Sequence, residues 1–282
     1  MRSLIFSAED SAEDTIVPRL IALGAQRGKI HIAGRVRQAN EAGEIVRRAV
    51  SLNRDLPSIE RLLDKHSDIR LLIIDPVSAY IGRVDSHKNS ELRIEILDPL
   101  ADLAERRGIA VVAISHFNKG SGTNSLERVA GSIAFPAAAR CVWGIVRDAQ
   151  DPDRRLMLFG KSNLGREVRG LAFRILPDAD GRTTIQWCGE VSTKLDDALR
   201  YEADQQRDAS SRKLDIAKSI VTSMLPAGTS RLYDEIEERA RQMDISETTL
   251  RRACADLGVK KHRNGFSGPF VATIPGPVCP DR

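Results

Sequence analysis

The run Leu71-Leu72-Ile73-Ile74-Asp75 constrains the fold most tightly. Four successive apolar residues leave no wet face, so a strand built from them needs cover on both sides. Leu4 to Ala8 and Ile109 to Ile114 have the same character, and Lys29 to Ala33 reads as a further short strand. Helical patterns lie between them. Asp14 to Leu23 ends at Gly24, and Ser58 to His66 gathers Ile59, Leu62 and Leu63 on one face. Ser90 to Arg107 gathers Leu92, Ile96, Leu97, Leu100, Leu103 and Ala104, and stops at Gly108. Pro99 is expected to kink this helix or divide it. Buried strands alternating with helices predict an α/β fold with a mostly parallel sheet covered on both faces. Residues 35–55 are polar and give no clear pattern.

After residue 140 the pattern changes. Cys141 to Arg147, Leu156 to Lys161, Leu171 to Leu176 and Thr183 to Trp187 read as short strands that extend the sheet in antiparallel or mixed fashion. Leu195 to Arg212 is charged and poor in large apolar residues, as suits a linker. Lys213 to Leu225 then reads as a helix with Ile216, Ile220, Val221 and Leu225 inward. Ser230 is expected to cap a second helix, to Met243, with Leu232, Ile236 and Ala240 inward; Ser246 caps a third, Glu247 to Leu257, closed by Gly258. Val259 to Ile274 reads as a hairpin. Three helices and a hairpin predict a winged helix-turn-helix. The expected divisions are 1–192 for the core, 193–212 for a linker, 213–275 for the winged helix and 276–282 for a disordered tail.

Bulk properties narrow the class. The formal net charge of +4 is compatible with nucleic acid without arguing for it. Cys141, Cys188, Cys254 and Cys279 are scattered, with no metal spacing, and read as reduced thiols of a cytoplasmic protein. No apolar run approaches the roughly 18 residues of a membrane span, and no signal-peptide layout is seen at Met1.

Several residues have the chemistry for a site. Asp75 ends a buried strand, where ligands bind in open α/β sheets, and suits a Mg²⁺-bound water; the plainer reading is an Asp-Pro turn. Glu9 and Asp10 follow the first strand. Glu9 suits polarisation of an attacking water, whereas Asp10 or Ser11 suits a helix cap. Ser115 and His116 follow the strand at 109–114, where a polar side chain can touch a γ-phosphate; a solvated loop is the alternative. The loop from Lys119 to Ser125 is expected to be mobile. Gly160-Lys161-Ser162 fails as a phosphate loop because Arg155 stands where a glycine is required. Lys161 is then a hairpin lysine, free in solvent or reaching a neighbouring subunit's phosphate. Arg128 and Arg140 suit structural pairing or a phosphate contact. Between 246 and 263, Arg251, Arg252, Lys260, Lys261 and Arg263 outnumber Glu247 and Asp256, which suits DNA phosphates. Asp234, Glu235, Glu237 and Glu238 on the preceding helix oppose DNA there, and docking to protein is the alternative.

In order and spacing, Ala8-Glu9-Asp10, Pro18-Arg19-Leu20, Leu72-Ile73-Ile74-Asp75-Pro76, Ile114-Ser115-His116, Arg128-Val129-Ala130-Gly131-Ser132 and Lys161-Ser162-Asn163-Leu164 resemble the RecA-like AAA-type ATPases of phages and plasmids. The RepA-type plasmid replication helicases belong to that group. The resemblance covers about residues 1–190 and implies a RecA-like P-loop NTPase core that assembles as a homo-oligomeric ring, a hexamer being one option, on DNA, with ATP and Mg²⁺ as cofactors. It implies Glu9 as catalytic glutamate, Asp75 as the Mg²⁺-site aspartate acting through water, and His116 as γ-phosphate sensor. Ser115 and Arg140 stand near the nucleotide by the same resemblance, with Lys161 as a finger across the subunit interface. Two departures stand out. The phosphate loop G-x-x-x-x-G-K-[ST] and its strand are missing, so the core reads as N-terminally incomplete and hydrolysis by this chain alone is in doubt. Asn163 stands where related ring helicases often carry arginine. The competing expectation is a non-catalytic DNA-binding regulator that uses the RecA-like fold for oligomerisation.

Overall fold

Three apolar strands assemble side by side. In the computed structural model, which describes residues 1–39, 43–84, 88–118, 125–129, 132–226, 228–263 and 268–274, β1 (Arg2–Ser7), β2 (Ile30–Ala33), β5 (Ile69–Asp75) and β6 (Ala110–Ala113) form a parallel sheet in the order β2-β1-β5-β6. The register sets Ser7 beside Asp75, and Ile74 beside Ala113. Leu4, Phe6, Leu72 and Ile74 are buried among side chains of the covering helices. A mixed α/β architecture with a parallel four-stranded sheet fits a RecA-like core.

The helices follow the sequence with adjustments. A π-helical turn over Ala12–Ile16 leads into α1 (Val17–Ala22), and Ser11 caps it by accepting from the Asp14 N–H. Asp10 instead pairs with Arg19 at 3.0 Å, so the cap is Ser11. The helix α2 (Leu52–Lys65) begins earlier than its apolar pattern predicts. Residues 89–107 hold α3 (Asn89–Leu92), a π-helical turn over Arg93–Leu97 and α4 (Asp98–Arg107). Pro99 sits in the first turn of α4, where a missing N–H costs nothing. Gly108 ends the helix in the left-handed region at φ 59°.

Three expectations are corrected within residues 1–200. The ambiguous stretch contains a hairpin, β3 (Arg35–Ala39) paired antiparallel with β4 (Ile45–Ala49), which forms its own two-stranded sheet. The later strands do not extend the parallel sheet. The strands β7 (Cys141–Arg147), β8 (Arg154–Ser162), β9 (Gly170–Pro177) and β10 (Thr183–Val191) form a separate antiparallel sheet, after the short α5 (Ala134–Ala138). The charged stretch from Leu195, expected as a linker, is helical and begins α6 (Leu195–Met224). Leu195 and Leu199 are buried against Leu158 and Ala172, and Gly144 is required there because a Cβ would lie 2.4 Å from a Leu195 methyl. Among the described residues β6 pairs only with β5; Val112 and Ile114 are 46% and 39% exposed.

The chain divides into two compact units, Met1–Arg200 and Tyr201–Arg282, with the boundary inside α6. In the second, α7 (Tyr233–Gln242) and α8 (Glu247–Asp256) pack with the end of α6 around Ala217, Val221, Leu225, Ile236 and Ala253. Ile216 is 43% exposed rather than inward. Ser230 does not cap a helix. It opens β11 (Ser230–Leu232), which joins β12 (Lys260–Arg263) and β13 (Phe270–Thr273) in the order β11-β13-β12. That pairing turns Leu232 outward and makes Tyr233 the buried residue. Ser246 caps α8 as expected, accepting from the Thr249 N–H. The loop 119–124 and the tail from 275 lie outside the described residues. Among the described residues no helix is long and apolar enough to cross a membrane. Cys141, Cys188 and Cys254 are free thiols.

Candidate functional site

Parallel strands that start level also end level. The backbone keeps the carboxyl ends of β1, β5 and β6 aligned: Ala8 N–H donates to the Asp75 carbonyl at 3.0 Å, Ile114 N–H to Ile74 at 2.9 Å, and Val77 N–H to Ile114 at 2.8 Å. Residues 8–9, 75–77 and 114–116 therefore form one rim, where open α/β sheets bind ligands.

Glu9, Asp75 and His116 stand on this rim. His116 Nε2 lies 3.8 Å from a Glu9 carboxylate oxygen, and both side chains are more than 60% exposed. Asp75 is half-buried. Burial first, then the negative charges of Glu9 and Asp10, push its carboxyl above the usual range, with His116 pulling the other way. Among the described residues no lysine or arginine is one of the charges acting on it. Ser115 is partly buried on the same rim.

Sequence reasoning missed Tyr80. It is buried against Phe6, with ring centroids 5.8 Å apart, and its hydroxyl has no partner among the described residues. Burial, helped by the charge on Asp75, pushes the phenol up to about 12. The signal was its place five residues after Asp75, in the 3₁₀ turn Val77–Tyr80 that follows the strand.

The remaining candidates stand elsewhere. Lys161 does not project freely from its hairpin. Its ammonium donates to the carbonyls of Pro136, Ala137 and Ala139 at 2.9, 3.1 and 3.1 Å, so all three protons serve the C-terminal end of α5. A reach to a neighbouring subunit would require it to leave this cap. Arg140 is exposed. Arg128 is buried, at 7% exposure, and donates to the Leu199 carbonyl at 3.1 Å, while its Nε has no partner among the described residues.

In the second unit, Arg251 pairs with Glu247 one turn back, and Arg252 is exposed on α8. Lys260, Lys261 and Arg263 lie along the exposed β12. The Lys261 ammonium sits 3.5 Å from the Tyr233 ring centroid and 4.7 Å from that of Phe270, and the Arg263 guanidinium 5.1 Å from Phe270.

Residues 1–122 match a family described as an AAA domain. The match supports an AAA-type, P-loop ATPase-like domain over that segment, and such domains in general use a nucleotide with Mg²⁺. No curated protein matches the chain.

Among the described residues no group of three or more His, Cys, Asp or Glu is placed to hold a metal directly. Mg²⁺ retains several waters and takes few carboxylates, so one half-buried aspartate with a glutamate nearby suits a hydrated ion carried in by phosphates. The residues fit the Mg²⁺ side of such a site. Among the described residues the charges acting on Asp75 include no lysine or arginine to meet the phosphates.

Proposed function

We propose that the first unit is the water-activating half of a nucleotide-hydrolysing site, in an ATPase of the RecA-like kind that serves replication of plasmid and phage DNA, assembled as a ring. The observation that supports this most directly is the convergence of Glu9, Asp75 and His116 on one rim of a parallel sheet, where Glu9 and His116 stand 3.8 Å apart. Mg²⁺ with ATP would supply the charge that neutralises the transferred phosphoryl group. Asp75 would hold one of the ion's waters. Glu9 is exposed, so it can take a proton from an attacking water. His116, at hydrogen-bonding range of Glu9 after a small movement, would report the γ-phosphate to the loop that follows it. The second unit would be a winged helix whose α8 and β12 meet DNA through Arg251, Arg252, Lys260, Lys261 and Arg263.

Calorimetry of the full chain with ATP and Mg²⁺ tests this. The expected result is binding that is lost in Asp75→Ala, and hydrolysis that is lost in Glu9→Gln while binding remains. Because the ion needs the ionised carboxylate, affinity is expected to rise with pH through the elevated pKa of Asp75. No heat at millimolar nucleotide would refute the enzymatic reading.

That outcome would favour a second reading, a non-catalytic DNA-binding regulator using the RecA-like fold to oligomerise. Its support is specific: among the described residues Glu9, Asp10 and His116 act on Asp75, and no lysine or arginine does.

A further inference from the structure

The hairpin β3–β4 places arginines against each other. Its register sets Arg37 directly opposite Arg47 and Arg35 opposite Ala49. Side chains alternate along a strand, so Arg35, Arg37 and Arg47 share one face while Val36 and Arg48 share the other. The two faces have different roles. Val36 packs on the main core, and Arg48 is held by Asp55, with both guanidinium nitrogens at 2.6 Å from the carboxylate. The opposite face is exposed, and none of its three arginines has an acidic partner among the described residues. Over residues 35–49 four arginines stand against two glutamates; Glu44 precedes β4, and Glu41 lies outside the described residues.

Like charges directly opposite in a ladder destabilise it. Nothing in the fold calls for that pairing: the inner face alone carries the packing and the ion pair that attach the hairpin. The arrangement suits a ligand that supplies negative charge at regular spacing. Arg35 and Arg37 lie about 7 Å apart along the strand and Arg37 and Arg47 about 5 Å across it. Such a grid of guanidinium forks matches successive phosphates of a backbone better than it matches single carboxylates, because each fork takes a phosphate bidentately. The exposed Ile45, at 73%, continues this face beyond Arg47, where it can lie against sugar or base.

We propose that the outer face of the hairpin, through Arg35, Arg37 and Arg47, is a nucleic-acid backbone site on the first unit, separate from the basic residues of the second unit. It does not depend on the nucleotide reading of the rim.

The test is binding of the full chain to a labelled duplex, to labelled oligo-dT and to labelled poly-glutamate, titrated across salt concentrations, for the parent, for Arg37→Ala/Arg47→Ala and for Arg251→Ala/Arg252→Ala. The slope of log affinity against log salt falls by about 0.9 per lost phosphate contact on duplex and about 0.7 on single strands. The hairpin variant is expected to lose about 1.8 on duplex or about 1.4 on single strand, with an unfolding midpoint equal to or above the parent's because a repulsion is removed. Arg35→Gln, opposite only Ala49, is expected to lose half as much and serves if the double variant fails to fold. Three results would overturn the proposal: an unchanged slope with the fold intact, no binding of either probe by the parent, or an equal loss of affinity for poly-glutamate, which would mean a surface for an acidic protein.

Discussion

Asp55→Ala is expected to cost the first unit about 3 kcal/mol. The Asp55 carboxylate is 3% exposed and accepts three hydrogen bonds, two from the Arg48 guanidinium at 2.6 Å and one from the Ser51 N–H at 2.8 Å. It therefore opens α2 and attaches the hairpin at once. Removing it leaves the buried Ser51 N–H unpaired and Arg48 without its counter-charge. Breaking such a buried pair costs about 3–5 kcal/mol, and the 23% exposure of the Arg48 side chain lets water recover part of that. For a unit of this size about 3 kcal/mol corresponds to a fall of roughly 6–12 °C in Tm. Trp143 and Trp187 both lie in the first unit, so tryptophan fluorescence follows its unfolding alone. The effect has a signed pH dependence. The hydrogen bonds from Arg48, ahead of the opposing burial, hold the Asp55 carboxyl below its usual range. A lowered folded-state pKa adds stability that is present above the unfolded value and lost as pH falls through the folded one. The gap between parent and variant must therefore shrink below about pH 4. A gap under about 1 kcal/mol at pH 7, or one that persists unchanged into acid, would refute this account.

Other substitutions probe the site and its surroundings. Asp75 has the opposite sign: its pKa is raised by burial and by Glu9 and Asp10, so its stabilising contribution is full below the unfolded pKa and lost as pH rises through the folded one. Asp75→Asn should stabilise the first unit at pH 7.5, by a margin that narrows toward pH 4, and a destabilised variant at pH 7.5 would contradict the described environment. Lys161→Met removes three donors from the end of α5 and should cost about 1–2 kcal/mol in tryptophan-monitored unfolding; no change would mean the cap contributes nothing. Ser246→Ala removes the cap of α8 and should cost the second unit about 1 kcal/mol, read by amide exchange of residues 247–256. The edge of β6, which has no partner strand on that side among the described residues and carries the half-exposed Val112 and Ile114, should make the chain prone to self-association, and Val112→Lys should suppress the light scattering that reports it.

The sequence by itself determined the parallel sheet. Leu4 to Phe6 and Leu71 to Ile74 have no polar face to turn to water, so burial between helices accommodates them, whereas β6, of the same apolar character, stays largely exposed among the described residues. It also marked Asp75 and Glu9, because a carboxylate directly after such a strand falls on the sheet's rim. It did not reveal the hairpin, since an arginine-rich pair of strands with Ile45 in solvent carries no alternation that points to a core. The first turns of α6 misled for a related reason. They lack a broad apolar stripe, yet Ala, Glu, Gln, Arg and Leu there favour helix locally, and the two leucines buried against β8 and β9 are enough to seat its start.

Tertiary structure decided what lies beside what. The order β2-β1-β5-β6 brings Glu9 to Asp75, although 66 positions separate them in the chain, and raises the pKa of a carboxyl whose own neighbours in sequence are neutral. Leu232 pairs with Val271 at the end of β11 and faces outward, and Tyr233, the first residue of α7, turns inward instead. Lys161 found the end of α5 because hydrogen-bond acceptors left open by a helix terminus draw the nearest cation, whatever its distance along the chain. Periodicity and propensity act between near neighbours and are written in the residue order; pairing, burial and charge act through space and exist only once the chain has closed on itself.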